Sequence, residues 1–179
     1  MTDPAMMQRF ETLVLPHMNS AFNVARWLTH NDHDAEDVVQ QAYLRAFRFF
    51  GGFRGDDPRA WLLSIVRNTF YTWYRQNTAH AGDTAVFEED LHSLQTSAPG
   101  RDDSPEALLD RSQSRQRVHS ALQSLPLEFR EVLVLRELEE LSYKEIAAVV
   151  GIPMGTVMSR LGRGRQQLAA LLAPTDKEA

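Results

Sequence analysis

Two stretches of the sequence place arginines beside other groups that can contact nucleic acid. The first is a predicted helix whose outward side mixes rings with polar and guanidinium groups: Arg67, Asn68, Tyr71, Tyr74 and Arg75. Bases stack on rings while guanidinium groups neutralise phosphates, so this pattern is typical of single-stranded nucleic-acid binding. The alternative is that the tyrosines are buried against the following segment, and the sequence leaves both readings open.

The second stretch, residues 153–172, carries three arginines and no acidic residue, although the whole chain has a net charge of −5. At helical spacing its polar side chains divide into an outward and a flanking set: Thr156, Ser159 and Arg163, then Arg160 and Arg165. Outward side chains can reach base edges in the major groove, and flanking arginines can reach phosphates. The alternative is an amphipathic hairpin without a DNA function.

A helix-turn-helix is predicted around this second stretch. Ser142 and Glu145 have the spacing of a capping box, and Ile146, Ala147 and Val150 follow on the inward side of a short helix. A turn at Gly151 to Pro153 precedes a second helix, which begins around Gly155. The inward side of that second helix is expected to comprise Val157, Leu161, Gly164 and Leu168.

Two further helices are expected before the helix-turn-helix. The first begins with Ser104 as N-cap and Pro105 in the first turn. Pro126 separates it from the second, which ends near residues 139–141. The inward positions are Val118, Ala121, Leu122 and Leu125 on the first, and Phe129, Val132 and Leu133 on the second.

In the N-terminal half, a helix is predicted from an N-cap at Asp34 to about Phe50. Its wide apolar stripe comprises Val38, Val39, Ala42, Tyr43, Ala46, Phe47 and Phe50. The opposite side is polar around one outward leucine: Asp37, Gln40, Gln41, Leu44, Arg45 and Arg48. That side is either a docking face for helices of another protein or an ordinary solvated face.

A glycine-rich loop, residues 49–56, precedes the next helix, which is capped by Asp57 and runs from Pro58 to residue 75 or 76. Its inward positions are Leu62, Ile65, Val66, Thr69 and Trp73. The loop carries aromatic rings and Arg54, but neither a Gly-Lys-Ser/Thr ending nor a preceding strand. A phosphate-binding loop for ATP is therefore not indicated.

The middle of the chain is acidic and has no sustained apolar period, which predicts a linker at residues 77–103. We expect an all-α protein of two small helical domains, residues 1–76 and 104–174, with a tail at 175–179. One continuous helical domain with a long loop is the alternative. No segment predicts a bilayer span or a signal peptide, so we expect a cytoplasmic protein without membrane insertion.

The sequence gives little indication of catalysis or of metal binding. The chain has no cysteine, which excludes disulfides and thiolate chemistry. The acids at Asp32, Asp34 and Glu36 lack the glycine and the closing glutamate of a calcium loop, and His30 and His33 have no third ligand in view. We expect no cofactor, no metal and no enzymatic activity.

The C-terminal unit resembles region 4 of RNA polymerase sigma factors, and the N-terminal unit resembles region 2. The first resemblance is carried by Leu125-Pro126, Arg130-Glu131, Leu135-Arg136, Glu140-Leu141-Ser142-Tyr143, Glu145-Ile146-Ala147, Gly151-Ile152-Pro153, Gly155-Thr156-Val157 and Ser159-Arg160-Leu161. The second is carried by Asp34-Ala35-Glu36-Asp37-Val38, Gln40, Ala46-Phe47, Phe53-Arg54-Gly55, Ala60-Trp61-Leu62 and Ile65-Val66-Arg67-Asn68. The arrangement of two domains joined by a short linker is similar to that of the extracytoplasmic function (ECF) group of sigma factors.

The resemblance implies a role for each surface. Asp37, Gln40, Gln41 and Leu44 would dock on the beta-prime clamp helices of core RNA polymerase, and region 4 would meet the beta flap. The opened minus-ten element would be captured by Phe53, Arg54, Trp61, Arg67, Asn68, Tyr71, Tyr74 and Arg75. The minus-thirty-five element of promoter DNA would be contacted by Arg136, Thr156, Met158, Ser159, Arg160, Arg163 and Arg165. An anti-sigma factor would mask both domains.

A stand-alone helix-turn-helix regulator is the competing function. Such a regulator usually dimerises on a palindrome and does not need the aromatic and arginine face of the N-terminal half. Binding to core polymerase distinguishes the two classes.

Overall fold

The computed structural model describes residues 3–78 and 104–174, and all regular structure in these two ranges is helical. The helices are α1 (Pro4–Leu13), α2 (Met18–Thr29), α3 (Asp32–Phe49), α4 (Pro58–Thr78), α5 (Pro105–Ser124), α6 (Leu127–Leu133), α7 (Tyr143–Val150) and α8 (Met154–Leu172). The prediction of an all-α protein is confirmed. Helix α4 ends two or three residues later than expected, and the rest of the predicted linker and the tail lie outside the described residues.

Helix α3 begins earlier than predicted. Its N-cap is Asn31, not Asp34: the Asn31 side-chain oxygen accepts a hydrogen bond from the Asp34 amide at 3.0 Å. Asn and Asp are about equally good N-caps, so the sequence offers several candidates within four residues and does not rank them. The start of α4 is as predicted, since the Asp57 carboxylate accepts from the Ala60 amide at 3.0 Å.

The N-terminal half is built around the predicted apolar stripe of α3. Val38, Ala42 and Ala46 are completely buried against α2 and α4. The Phe10 ring of α1 makes edge-to-face contacts with the rings of Phe47 and Phe50, and the centroids are 5.2 Å apart in both pairs. This packing fixes the orientation of α3 and leaves its opposite face outward.

The helix-turn-helix forms as the sequence predicts. The Ser142 hydroxyl accepts from the Glu145 amide at 3.1 Å, and the Glu145 carboxylate accepts from the Ser142 amide at 2.7 Å. Gly151 ends α7 with a positive φ of 75°, a conformation that glycine adopts without steric cost. Helix α8 then begins at Met154, one residue before the predicted start.

Gly164 allows α6 and α8 to cross closely. A Cβ at this position would lie 3.1 Å from Leu133 Cδ1 and 3.2 Å from Phe129 Cβ. Glycine inside a helix costs roughly 1 kcal/mol relative to alanine, and here the tight contact between the two helices accounts for that cost. The other inward positions, Val157 and Leu161, are buried as predicted.

Three burial predictions need correction. Val118 is 40% exposed, although it shares a helix with residues that pack on α8. Leu63 and Phe70, which the helical pattern did not place inward, are buried. Helix α4 is covered on two sides, by the α2 and α3 pair and by α7, so its buried arc is wider than that of a helix lying on one core.

The two halves of the chain pack against each other, a point that the sequence left open. Helix α4 lies against α7, while α2 lies against α6 and the π turn Val134–Leu138. At the edge of this interface the Trp27 and His119 ring centroids are 4.6 Å apart, and the Arg59 guanidinium is 2.7 Å from the Glu139 carboxylate. Among the described helices, none is both long and apolar enough to cross a bilayer.

Two histidines at this interface are held neutral. Burial, followed by the nearby charges of Arg130 and His119, lowers the pKa of His30 to about 4. The pKa of His119 is also lowered, by burial first and then by Arg26. Protonation would place positive charge beside these arginines, so the packed state disfavours it.

We expect His30 to make the protein less stable in mild acid. The folded pKa lies below the unfolded value, so the unfolded chain binds more protons as the pH falls from 6.5 towards 4, and the stability present at pH 7 is lost in that window. His30→Asn keeps a residue that tolerates the left-handed conformation found here, φ 61°. Urea unfolding measured at pH 7 and pH 5 should show that the variant takes up about one proton less than the parent on unfolding. An equal pH dependence of the free energy of unfolding in the two proteins would contradict this.

Candidate nucleic-acid interface

The side of α3 that lies opposite its buried apolar stripe is exposed. Gln40 and Gln41 are exposed and Asp37 is half-buried, while Leu44 has 68% of its surface exposed. Phe49, near the end of the same helix, is 62% exposed and was not predicted to be so. The face therefore combines neutral polar groups with apolar side chains that have no cover within the described chain, which suits contact with another protein.

The face of α4 predicted to bind an opened strand is divided between solvent and the second half of the chain. Asn68, Tyr74 and Arg75 are exposed. Arg67 and Tyr71 are half-buried, and the Arg67 guanidinium lies 4.4 Å from the centre of the Tyr71 ring. Tyr71 is thus half-buried, with its hydroxyl on Glu131 of α6; most of the linker, against which the alternative buried the tyrosines, lies outside the described residues.

Glu131 of α6 organises these two side chains. Its carboxylate accepts hydrogen bonds from Arg67 Nε at 2.8 Å and from the Tyr71 hydroxyl at 3.2 Å. Burial alone would lower the pKa of Arg67, but the hydrogen bond and the charge of Glu131 outweigh it and the pKa is raised. Burial, with Glu131 next, raises the pKa of Tyr71 to about 12, so its hydroxyl keeps the proton that it donates.

The glycine-rich loop contributes packing and one outward arginine. The Phe53 ring is 6% exposed and lies between Phe50, at 5.9 Å, and Trp61, at 4.8 Å between centroids. Arg54 is exposed, and its guanidinium donates to the Gly51 carbonyl at 2.9 Å. In this arrangement Phe53 supports the loop, while Arg54 is available at its surface.

On α8, the predicted outward residues Ser159 and Arg163 are exposed, as is Met158, and Thr156 is half-buried. The flanking arginines meet acids of α6 and of the π turn that follows it: Arg165 lies 2.8 Å from Glu137, and Arg160 lies 3.8 Å from Glu131. No ion pair involves Arg163 within residues 3–78 and 104–174. Its charge is therefore the one on this helix most accessible to a phosphate or a base edge.

Arg136 precedes the helix-turn-helix and is fixed at its edge. Its guanidinium donates to the Leu141 carbonyl at 2.9 Å and lies 4.9 Å from the centre of the Tyr143 ring. Both contacts keep the charged end half-exposed beside the start of α7.

Sequence reasoning missed the acids that join the halves. Glu131 and Glu139 are buried, with 3% and 6% of their surfaces exposed, and each binds an arginine of α4. Neither acid is among the inward positions that the helical pattern gives for this stretch. The only available signal was an unusually apolar neighbourhood, since residues 132–135 leave little solvated surface on that helix.

Comparison with known proteins matches both halves of the chain to one family. The family model "Sigma-70 region 2" covers residues 13–80, and "Sigma-70, region 4" covers residues 115–168. The chain is 36% identical to the ECF RNA polymerase sigma factor SigE of Mycolicibacterium smegmatis, covering 98% of this chain and 66% of that protein. It is 35% identical to the RNA polymerase sigma-H factor of Pseudomonas aeruginosa, covering 95% of this chain and 89% of that protein.

The fold agrees with these matches. The sigma factor RpoE of Bartonella quintana, solved in complex with the anti-sigma factor NepR, superposes with a TM-score of 0.68 at 27% identity, covering 92% of this chain and 97% of that one. The chain therefore belongs to the sigma-70 family of RNA polymerase sigma factors. Within that family it is a member of the ECF group, an alternative sigma factor that directs transcription initiation and is not an enzyme.

Proposed function

We propose that this sigma factor uses three separate surfaces, one for core polymerase and one for each promoter element. The observation that carries this proposal is the division of exposed groups among α3, α4 and α8. Helix α3 presents neutral polar and apolar groups, α4 presents rings with arginines, and α8 presents an arginine that pairs with no acid among the described residues, with small polar neighbours. Each composition suits a different ligand: protein, unpaired bases and duplex DNA.

The docking surface comprises Asp37, Gln40, Gln41 and Leu44. Its support is the exposure of Leu44, because an apolar side chain that is 68% exposed gains free energy when a partner covers it. The clamp helices of the beta-prime subunit are the proposed partner, and the beta flap is the proposed partner of the second half. Core polymerase is cytoplasmic, so the protein would act there.

The minus-ten surface comprises Phe53, Arg54, Trp61, Arg67, Asn68, Tyr71, Tyr74 and Arg75. Support comes from the alternation of rings and guanidinium groups along α4, with Tyr74, Asn68 and Arg75 open to solvent. Arg54 lies on the adjoining loop, where it could contact the same strand. Phe53 would act by holding that loop in place, since its own ring is buried.

The minus-thirty-five surface comprises Arg136, Thr156, Met158, Ser159, Arg160, Arg163 and Arg165. Arg163 is the strongest candidate for reading a base, because it points outward and has no ion pair within the described chain. Arg160 and Arg165 form ion pairs with acids at the sides of the helix. On binding DNA, they would contact phosphates in place of those acids.

An anti-sigma factor is the proposed regulator. Its support is that the superposed Bartonella sigma factor was solved with such a protein. The exposed apolar side chains of α3 offer a surface that such a regulator could cover in competition with polymerase.

Arg163→Ala should weaken promoter recognition at one position of the minus-thirty-five element by about 1 to 3 kcal/mol. The holoenzyme would be tested on duplexes carrying each single base change, and the variant should lose discrimination at that position only. Gln167→Ala, an exposed change on the same helix outside the proposed surface, is the control. Unaltered discrimination in the Arg163 variant would reject base reading, and a uniform loss at every position would assign Arg163 to phosphate instead.

A further inference from the structure

Two exposed methionines lie at the start of the second helix of the helix-turn-helix. Met154 is the first residue of α8 and is 44% exposed, and Met158 lies one turn later and is 50% exposed. Residues four apart share one side of a helix, so the two side chains form a single apolar strip. The core contacts of α8 are made by other residues, Val157, Leu161 and Gly164, which are buried. The methionine strip is therefore not part of the core.

The residues beside the methionine strip are small. Around the helix, Gly155, Ser159 and Gly162 lie between the methionines and Arg163, and all of them are exposed. A Cβ on Gly155 or on Gly162 would meet no other described element within 4 Å, so internal packing does not require glycine at either position. Because these neighbours are short, the methionines project beyond them and the helix backbone can approach a ligand closely.

The charge of this helix indicates which ligand covers the strip. Residues 153–172 carry three arginines and no acidic residue. Such a surface attracts a polyanion, and a protein partner with an ordinary mixture of charges gains less from it. In a helix-turn-helix, the N-terminal residues of the second helix contact base edges, and Met154 and Met158 occupy the first two turns of α8. The occupant that fits both observations is the floor of the major groove.

A methionine side chain matches one chemical group on that floor. The edges of guanine, cytosine and adenine present only acceptors and donors, whereas thymine adds an apolar C5-methyl group. Methionine has no hydrogen-bond donor and only a weak acceptor, so against a polar edge it would displace water without replacing the lost hydrogen bonds. Against a methyl group it removes apolar surface from water on both sides, and its flexible chain adapts to the position of that group.

We propose that Met154 and Met158 contact thymine C5-methyl groups in the minus-thirty-five element and so select thymine at one or two positions beside the base that Arg163 contacts. The inference rests on the proposed minus-thirty-five surface and adds Met154 to it. Arg163 selects its base by hydrogen bonds, and the methionines select the neighbouring bases by apolar contact.

Replacement of single thymines by uracil tests this inference, because uracil pairs with adenine in the same way and lacks only the C5-methyl group. The minus-thirty-five block of a promoter that the holoenzyme transcribes is randomised, and the duplexes that the holoenzyme binds are selected and sequenced. Synthetic duplexes of the selected sequence then carry uracil in place of one thymine at a time, on either strand. Each uracil duplex competes with the thymine duplex for a limiting amount of holoenzyme.

Holoenzyme with the parent protein should bind about fourfold more weakly when a contacted methyl group is removed, which is the factor expected for covering one methyl group. With the double variant Met154→Ala and Met158→Ala, uracil and thymine duplexes should bind equally at those positions. An effect of uracil on DNA shape would persist in the variant, so the comparison isolates the side-chain contact. The matched control is the double variant Met7→Ala and Met18→Ala, at methionines that are 43% and 48% exposed and lie outside the proposed surfaces. It should keep the uracil sensitivity of the parent.

Equal binding of all uracil and thymine duplexes by the parent, or a selected block without thymine, would overturn the methyl contact while leaving minus-thirty-five recognition in place. Uracil sensitivity that persists in the variant lacking both α8 methionines would overturn their role, because another residue would then contact the methyl group. A pool from which no block is selected would instead reject the proposed minus-thirty-five surface, and this inference with it.

Discussion

Replacing Leu44 with aspartate should abolish holoenzyme formation while leaving the fold intact. The side chain is 68% exposed on α3, so the free protein tolerates a charge there. In the complex, burying an uncompensated carboxylate where an apolar side chain was covered costs several kcal/mol. Affinity for core polymerase should fall by about a hundredfold or more, since each 1.4 kcal/mol is a factor of ten. Co-elution with core on a sizing column measures it.

Leu109→Asp is the matched control for this change. Leu109 is a leucine of similar exposure, 61%, on α5 and outside the proposed docking surface. It should leave core binding near the parent value. Normal co-elution of the Leu44 variant, or an equal loss in both variants, would reject the α3 face as the docking surface.

Combined substitution of Asn68 and Tyr71 by alanine should block strand opening while sparing binding to duplex promoter DNA. Stacking of a base on an aromatic ring is worth about 1 to 3 kcal/mol, so the population of open complex should fall by roughly tenfold to a hundredfold. Permanganate modification of unpaired thymines near minus ten reports the opening. Filter binding of the same holoenzyme to duplex reports the closed complex.

Thr78→Ala, at the far end of the same helix, is the control for the strand-opening variant, because its hydroxyl contacts only its own helix among the described groups. It should give a normal permanganate pattern. A double variant with normal permanganate reactivity would remove these two residues from the opening step. A loss of duplex binding equal to the loss of opening would give them a general role in affinity.

Much of the fold could be predicted from local patterns. The capping box at Ser142, the left-handed Gly151 and the stripe around Val38 depend on neighbours within a few turns, and all three are present in the structure. Failures occurred where local rules give several equivalent answers. Asn31 rather than Asp34 caps α3, and the sequence did not distinguish them because Asn and Asp are about equally good N-caps.

What sequence could not supply was the contact between the two halves. Helical periodicity does not place Glu131 among the inward residues, and only the position of α4 against the second half makes it a buried partner for Arg67 and Tyr71. The same contact turns the solvent face expected on α4 into a partly covered one. Gly164 is a second example. Glycine is unfavourable inside a helix, and only the packing of α8 against Leu133 of α6, which leaves little room for a Cβ, explains why glycine stands there.

The most direct test of the whole account is transcription from a pool of genomic fragments by core polymerase, with and without this protein, followed by sequencing of RNA 5′ ends. We predict a set of start sites that depends on the added chain and that shares two short blocks upstream, near minus ten and minus thirty-five. Start sites that do not change on addition, or new ones without both shared blocks, would contradict promoter recognition by the two halves of this molecule.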